Sequence, residues 1–165
     1  TQGGELYGFE VSLQRPFDFL PAPLDGFGGI ANFTYARSKV AYITDASKTP
    51  PTVVNLPLAG LSRRSWNATL YYERDRFSAR VSGAYRSGYL GGVPGGNGSD
   101  ARGKLSSFTL DVASTFQLTP KVMLTFEALN LTDVVDNRWL DRSRMEIEES
   151  SHTGRQFFVG VRYLL

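Results

Sequence analysis

Residues 155–165 read R-Q-F-F-V-G-V-R-Y-L-L, and within them Phe157, Val159, Val161, Tyr163 and Leu165 place an apolar or aromatic side chain at every second position. The intervening Gln156, Phe158, Gly160, Arg162 and Leu164 are a smaller and more polar set. Successive side chains of a strand point to opposite faces, so this alternation requires a strand with one oily face and one mixed face. A tilted strand of roughly 9–11 residues also crosses a bilayer. Ending on such a strand, with no polar tail, is usual for outer-membrane barrels and unusual for soluble domains.

The same period recurs along the chain. Residues 6–14 put Tyr7, Phe9, Val11 and Leu13 opposite Gly8, Glu10, Ser12 and Gln14. Residues 15–26 carry three prolines and read as a turn, with Phe17 and Phe19 suited to a membrane interface. A second strand is expected over 27–38, and the proline-containing stretch 39–62 reads as a loop. Trp66, Ala68, Leu70 and Tyr72 then face Phe77, Ala79 and Val81 in a hairpin. If Arg74-Asp75 is its two-residue turn, Tyr72 pairs with Phe77, Leu70 with Ala79 and Ala68 with Val81. Residues 90–103 read as a flexible loop. Strands over 108–117 and 122–128 follow, joined by Thr119-Pro120-Lys121, so that Leu118 faces Val122 and Phe116 faces Leu124. A long polar loop over 130–154 precedes the closing strand.

This gives about seven strands and no helix, with shorter connections alternating with longer ones. Short periplasmic turns and long extracellular loops are the asymmetry of bacterial outer-membrane barrels. The expected fold class is therefore all-β, an antiparallel up-and-down meander. Seven strands do not close a single-chain bacterial barrel, and open edges in lipid leave backbone groups unpaired at several kcal/mol each. The chain, which starts at Thr1 with neither an initiator Met nor a signal peptide, is thus expected to be a piece of a larger barrel.

Composition removes several classes. A net charge of +2 without a basic block gives no reason to invoke nucleic acid. No apolar run is long enough for a transmembrane helix, which leaves barrels untouched. The absence of Cys argues against disulfide scaffolds and Cys-ligated metals.

The glycine-rich 91–98 lacks the strand-then-helix context of a phosphate loop. Four Asn-x-Ser/Thr matches, at Asn32, Asn67, Asn97 and Asn130, read as chance, two of them lying mid-strand. His152, the single histidine, sits in an expected loop without fixed catalytic or metal-binding partners. Asp141, Glu146, Glu148 and Glu149 lack calcium-loop spacing. No catalytic residue, metal site or cofactor is therefore expected, and no enzyme activity. Glu10, Glu73, Arg80, Arg86, Asp111, Glu127 and Arg162 share the polar phase, which in a barrel is a wet lumen touching a plug or a solute. Arg37, Lys39, Arg64, Lys104 and Arg155 lie at the long-loop end on the apolar phase, with Arg15 at the other. An outward basic rim there matches the phosphates of lipopolysaccharide.

Four segments carry a family resemblance: L-P-A-P-L-D-G-F-G-G-I-A-N-F-T-Y (20–35), L-P-L-A-G-L-S-R-R-S-W-N-A-T-L-Y-Y-E (56–73), F-E-A-L-N-L-T-D (126–133) and G-R-Q-F-F-V-G-V-R-Y (154–163). They resemble the last strands of TonB-dependent outer-membrane receptors. The most specific feature is N-L-T-D followed about thirty residues later by a terminal G-x-R-Y strand. The resemblance implies a 22-stranded transmembrane β-barrel of which residues 1–165 are the C-terminal part, with the plug domain and TonB box upstream. It implies a bacterial outer-membrane location. It also implies energised uptake of a scarce, bulky solute such as a siderophore, cobalamin or oligosaccharide. The implied partners are membrane lipid and lipopolysaccharide, the upstream strands and plug, TonB and the solute. Phe157, Val159, Val161, Tyr163 and Leu165 correspond to the family's C-terminal assembly signal, with Leu165 where the family usually has Phe. The competing expectation is a soluble, lipocalin-like antiparallel β binding module.

Overall fold

The structure is a computed structural model and describes residues 3–164. In chain order its strands are β1 (Gly4–Pro16), β2 (Phe27–Asp45), β3 (Thr52–Leu56), β4 (Arg64–Arg74), β5 (Phe77–Arg86) and β6 (Tyr89–Gly92). They continue with β7 (Arg102–Lys104), β8 (Ser107–Thr119), β9 (Val122–Leu129), β10 (Val135–Leu140), β11 (Glu146–His152) and β12 (Gln156–Tyr163). The one helical element among the described residues is a single 3₁₀ turn, Leu24–Gly26.

The larger sheet runs β1-β2-β4-β5-β8-β9-β12, an antiparallel meander whose members are the seven long strands expected from the alternation. Its two ends, β1 and β12, do not pair with one another, so the sheet is an open barrel segment. The short connections, at 17–26, 75–76 and 120–121, all lie at one end of this sheet, and the long ones at the other.

Two turns differ in detail from expectation. The β4–β5 hairpin pairs Arg74 with Phe77, so its two turn residues are Asp75 and Arg76 rather than Arg74 and Asp75. Tyr72 consequently opposes Ala79, Leu70 opposes Val81 and Ala68 opposes Gly83. Asp75 takes the turn's left-handed backbone conformation, at φ +50°, which Asp tolerates better than Arg. The slip is one residue on each strand and leaves the faces unchanged. At β8–β9 Phe116 does oppose Leu124, but Val122 opposes Thr119, and Leu118 is bulged out. The Thr119 hydroxyl accepts the backbone N–H groups of Lys121 and Val122, which tightens the turn to the two residues 120–121.

The larger correction concerns the three stretches expected to be loops. β2 overruns its expected end and pairs with β3 over Val40–Asp45. β6, β7, β10 and β11 form a second sheet in the order β11-β10-β7-β6. These pieces pack around Val40, Tyr42, Leu56, Leu90, Ala101 and Trp139, with Val54 and Val93 alongside. Apart from Ala128, these six are the buried apolar side chains of the described residues. The hydrophobic core of the segment thus lies in this cap and not in the long sheet.

Candidate functional site

The long sheet has two chemically distinct faces, set by its register. Glu10 opposes Thr34, Ile30 opposes Thr69, Thr69 opposes Ser82, and Ser82 opposes Asp111. Ala113 opposes Glu127, and Glu127 opposes Phe158. Directly paired residues share a face, so Glu10, Glu73, Arg80, Arg86, Asp111, Glu127 and Arg162 lie together on one side. Hydroxyl pairs cross it, Thr69 with Ser82 at 2.9 Å and Ser78 with Thr115 at 2.7 Å.

The opposite face carries Phe9, Val11, Leu13, Phe33, Leu70, Val81, Phe108, Phe126, Val159 and Val161. Nothing among the described residues covers it: Val159 is 82% exposed, Val161 70% and Leu13 63%. A soluble sheet buries one face against a second layer, and no such layer is present among the described residues. Aromatic side chains cluster towards both ends of this face, Trp66 with Phe108 (5.5 Å) and Tyr85 (6.0 Å), Tyr72 with Phe27 (4.8 Å) and Phe77 (6.2 Å). Two such belts flanking an apolar band suit the two water interfaces of a membrane.

The seven charged residues fall into two groups. Asp111 accepts the Asn130 N–H at 2.8 Å and so anchors the turn that starts the β9–β10 connection. Arg86 donates to Ser62 Oγ (2.6 Å) and the Gly60 carbonyl (2.8 Å), and its guanidinium lies 4.1 Å from the centre of the Tyr89 ring. These two tie the connections to the sheet. Glu10, Glu73, Arg80, Glu127 and Arg162 form no ion pair or side-chain hydrogen bond among the described residues, and all five are exposed. Arg80 and Glu127 both oppose Ala113, one from each side.

The cap stands on this same charged side. Val40 and Tyr42 continue the even phase of β2 that carries Asn32 and Thr34, and they form its base. The Tyr42 hydroxyl donates to the Pro57 carbonyl (3.1 Å) and accepts the Ala59 N–H (2.9 Å). Carboxylates brace the cap: Arg142 meets Asp100 at 2.7 Å between two connections, and Arg138 meets its register partner Glu149 at 2.7 Å across β10 and β11. The Ser143 hydroxyl and backbone N–H both bond Asp141, holding its carboxyl down at a pKa of about 2.

The expected rim is only partly one surface. Arg37 and Arg64 are exposed on the outward phase, Arg64 opposing Tyr35. Lys104 does not begin a long strand; it belongs to β7 and is ion-paired with Asp136. Arg155 precedes β12 and donates to the Leu131 carbonyl at 3.0 Å, with Asp133 3.9 Å away. Of the expected assembly signal, Phe157, Val159, Val161 and Tyr163 are outward on β12, while Leu165 lies outside the described residues.

His152 is not a free loop residue: it lies in β11, with Nε2 2.9 Å from Asp133 Oδ1. The acidic cluster is drawn into pairs with arginines, Glu146 with Arg144 and Glu149 with Arg138. Asn32 and Asn67 oppose each other mid-sheet. The glycine-rich stretch is a folded turn, Gly96 bridging Ser99 with Gly96 and Gly98 at positive φ. The residue that sequence reading missed is Trp139, whose place in a polar stretch was the available signal.

In comparison with known proteins, residues 1–131 match the family described as "TonB dependent receptor-like, beta-barrel". No curated protein and no solved structure matches.

Proposed function

This chain belongs to the TonB-dependent receptor β-barrel family, and on that premise we propose that it is the C-terminal part of the barrel of an energised outer-membrane receptor. The cargo class is a scarce, bulky solute such as a siderophore, cobalamin or oligosaccharide. The observation that carries this reading is the two-faced sheet, apolar and uncovered outside, charged inside, with a packed cap over the charged side. A soluble lipocalin-like module would bury one of those faces, which is why that alternative is not favoured.

In this reading β1 pairs with an upstream strand and β12 with the first strand of the barrel, so that no edge stays open in lipid. The unpaired Glu10, Glu73, Arg80, Glu127 and Arg162 face the lumen and hold an upstream plug by salt bridges. Arg86 and Asp111 position the cap. Energy is delivered by TonB, acting through the plug region.

The experiment is uptake of labelled candidate solutes by cells carrying or lacking the intact receptor, each with and without TonB. Uptake that requires both supports the proposal. Receptor that is monomeric in detergent-free buffer, with uptake unchanged by its loss, contradicts it.

A further inference from the structure

The outward face has a fork near the long-loop end. β2 pairs with β4 as far as Tyr35↔Arg64 and with β3 only from Val40↔Leu56. Between them, residues 36–39 face the connecting segment, which is held by Ala36 N–H to the Arg63 carbonyl (3.0 Å) and Leu58 N–H to Ser38 Oγ (2.8 Å). A cleft of about 460 Å³ opens here, lined among others by Tyr7, Arg37, Lys39 and Arg63.

Arg37, Lys39, Arg63 and Arg64 converge on this fork, and all four are exposed. Arg63 is already oriented: its Nη2 and Nε donate to the Tyr35 hydroxyl at 3.0 and 3.3 Å, and its guanidinium lies 5.5 Å from the centre of that ring. None of the four has a carboxylate within ion-pair distance among the described residues, although Glu5 lines the cleft opposite Lys39. Among the cap's cations, Lys104, Arg138, Arg142 and Arg144 each have a carboxylate partner, and Arg102 is the exception among the described residues. Towards the middle of the sheet, the same face continues into Phe9, Phe33 and Val11, with Phe9 5.7 Å from Tyr35 and 6.0 Å from Phe33.

We propose that this fork binds the phosphorylated head group of an outer-leaflet glycolipid, with the guanidinium groups on the phosphate and the acyl chains along Phe9, Val11 and Phe33. The proposal rests on the outer-membrane reading above and narrows the basic rim to one site. Arginine forks match phosphate oxygens in bidentate fashion. Four cations against one carboxylate supply the charge, and the apolar face below supplies the rest of an amphiphile's surface.

The test uses delipidated intact receptor in detergent, followed by thermal unfolding. It is titrated separately with bis-phosphorylated lipid A, with the same lipid after dephosphorylation, and with inorganic phosphate. Stabilisation by the phosphorylated lipid alone is expected. The triple variant Arg37→Gln, Arg63→Gln, Arg64→Gln should lose it. The control Arg15→Gln, Arg76→Gln, Lys121→Gln removes the same charge at the opposite end and should keep it. Equal stabilisation by the dephosphorylated lipid or by phosphate overturns the proposal, as does an undiminished response in the triple variant. If that variant fails to fold, Arg37→Gln with Lys39→Gln takes its place, and the three wild-type titrations still decide. A protein that needs no detergent would overturn the membrane reading instead.

Discussion

The indole of Trp139 lies directly against the bare Cα of Gly103, its register partner across β10 and β7. A side chain at Gly103 would collide with the ring, so glycine is required there for close approach rather than for turn geometry. The pair joins the connection between β5 and β8 to the connection between β9 and β12, and Leu90 packs beside them. The cap is therefore one packed body built from separate connections.

Trp139 is 7% exposed. Trp139→Ala should destabilise the cap by about 3–5 kcal/mol, as expected for emptying a buried aromatic site. Hydrogen exchange should report this at the amides of Leu105 and Met145, which bond the Asn137 and Asp141 carbonyls. Amides of β8 and β9 should keep their protection, and Gly103→Val should reproduce the same pattern.

The two faces should respond oppositely to added charge. Val112→Arg and Val159→Arg should each cost about 2–4 kcal/mol if these positions lie near the bilayer midplane. Thr109→Arg, on the other phase of β8, should stay within about 1 kcal/mol because a wet lumen solvates the guanidinium. Refolding titrations of the intact receptor into lipid measure all three.

The long sheet was legible because its strands are long and each alternates cleanly, as in Phe108 to Phe116. The β4–β5 pairing moves by two residues in all, Tyr72 opposing Ala79 rather than Phe77, and an even shift keeps each strand's faces, which is why every face assignment stayed intact. The cap was not legible for the same physical reason. β7 has three residues and β6 four, too few to show a period. Its core side chains, Leu90, Ala101 and Trp139, are scattered among Gly, Asp and Arg and become neighbours only through pairing between distant connections. Arg37 and Arg64 could be placed on the outward face from sequence. Arg63 could not, because its role depends on the Tyr35 hydroxyl.

The β10–β11 turn should loosen at low pH. The Asp141 carboxyl is held down to a pKa of about 2 by hydrogen bonds from Ser143 and then Arg144, so its folded value lies below its unfolded value of 3.8. Its stabilising contribution is full above 3.8 and lost as pH falls through about 2. Asp100, lowered by Arg142, should act in the same direction. Exchange of the Met145 amide should accelerate, beyond the intrinsic pH dependence, between these values, and Asp141→Asn should largely remove that acceleration.

Asp111 should prove a tether rather than a free lumen charge. Asp111→Ala leaves the Asn130 N–H without its acceptor and should cost about 1–3 kcal/mol. Asp111→Asn keeps a carbonyl oxygen in place and should cost less. Thermal unfolding of the two variants separates a lost hydrogen bond from a lost charge.

The most direct test of the barrel account is single-cysteine scanning of positions 108–113 in native membranes, aided by the absence of any Cys in this chain. Thr109, Asp111 and Ala113 replaced by Cys should react with a water-soluble maleimide. Phe108, Leu110 and Val112 replaced by Cys should resist it, and an attached fluorophore there should be quenched by lipid-borne quenchers. Equal reactivity at all six positions, or the opposite phase, would contradict a membrane-facing outer surface and a wet inner one.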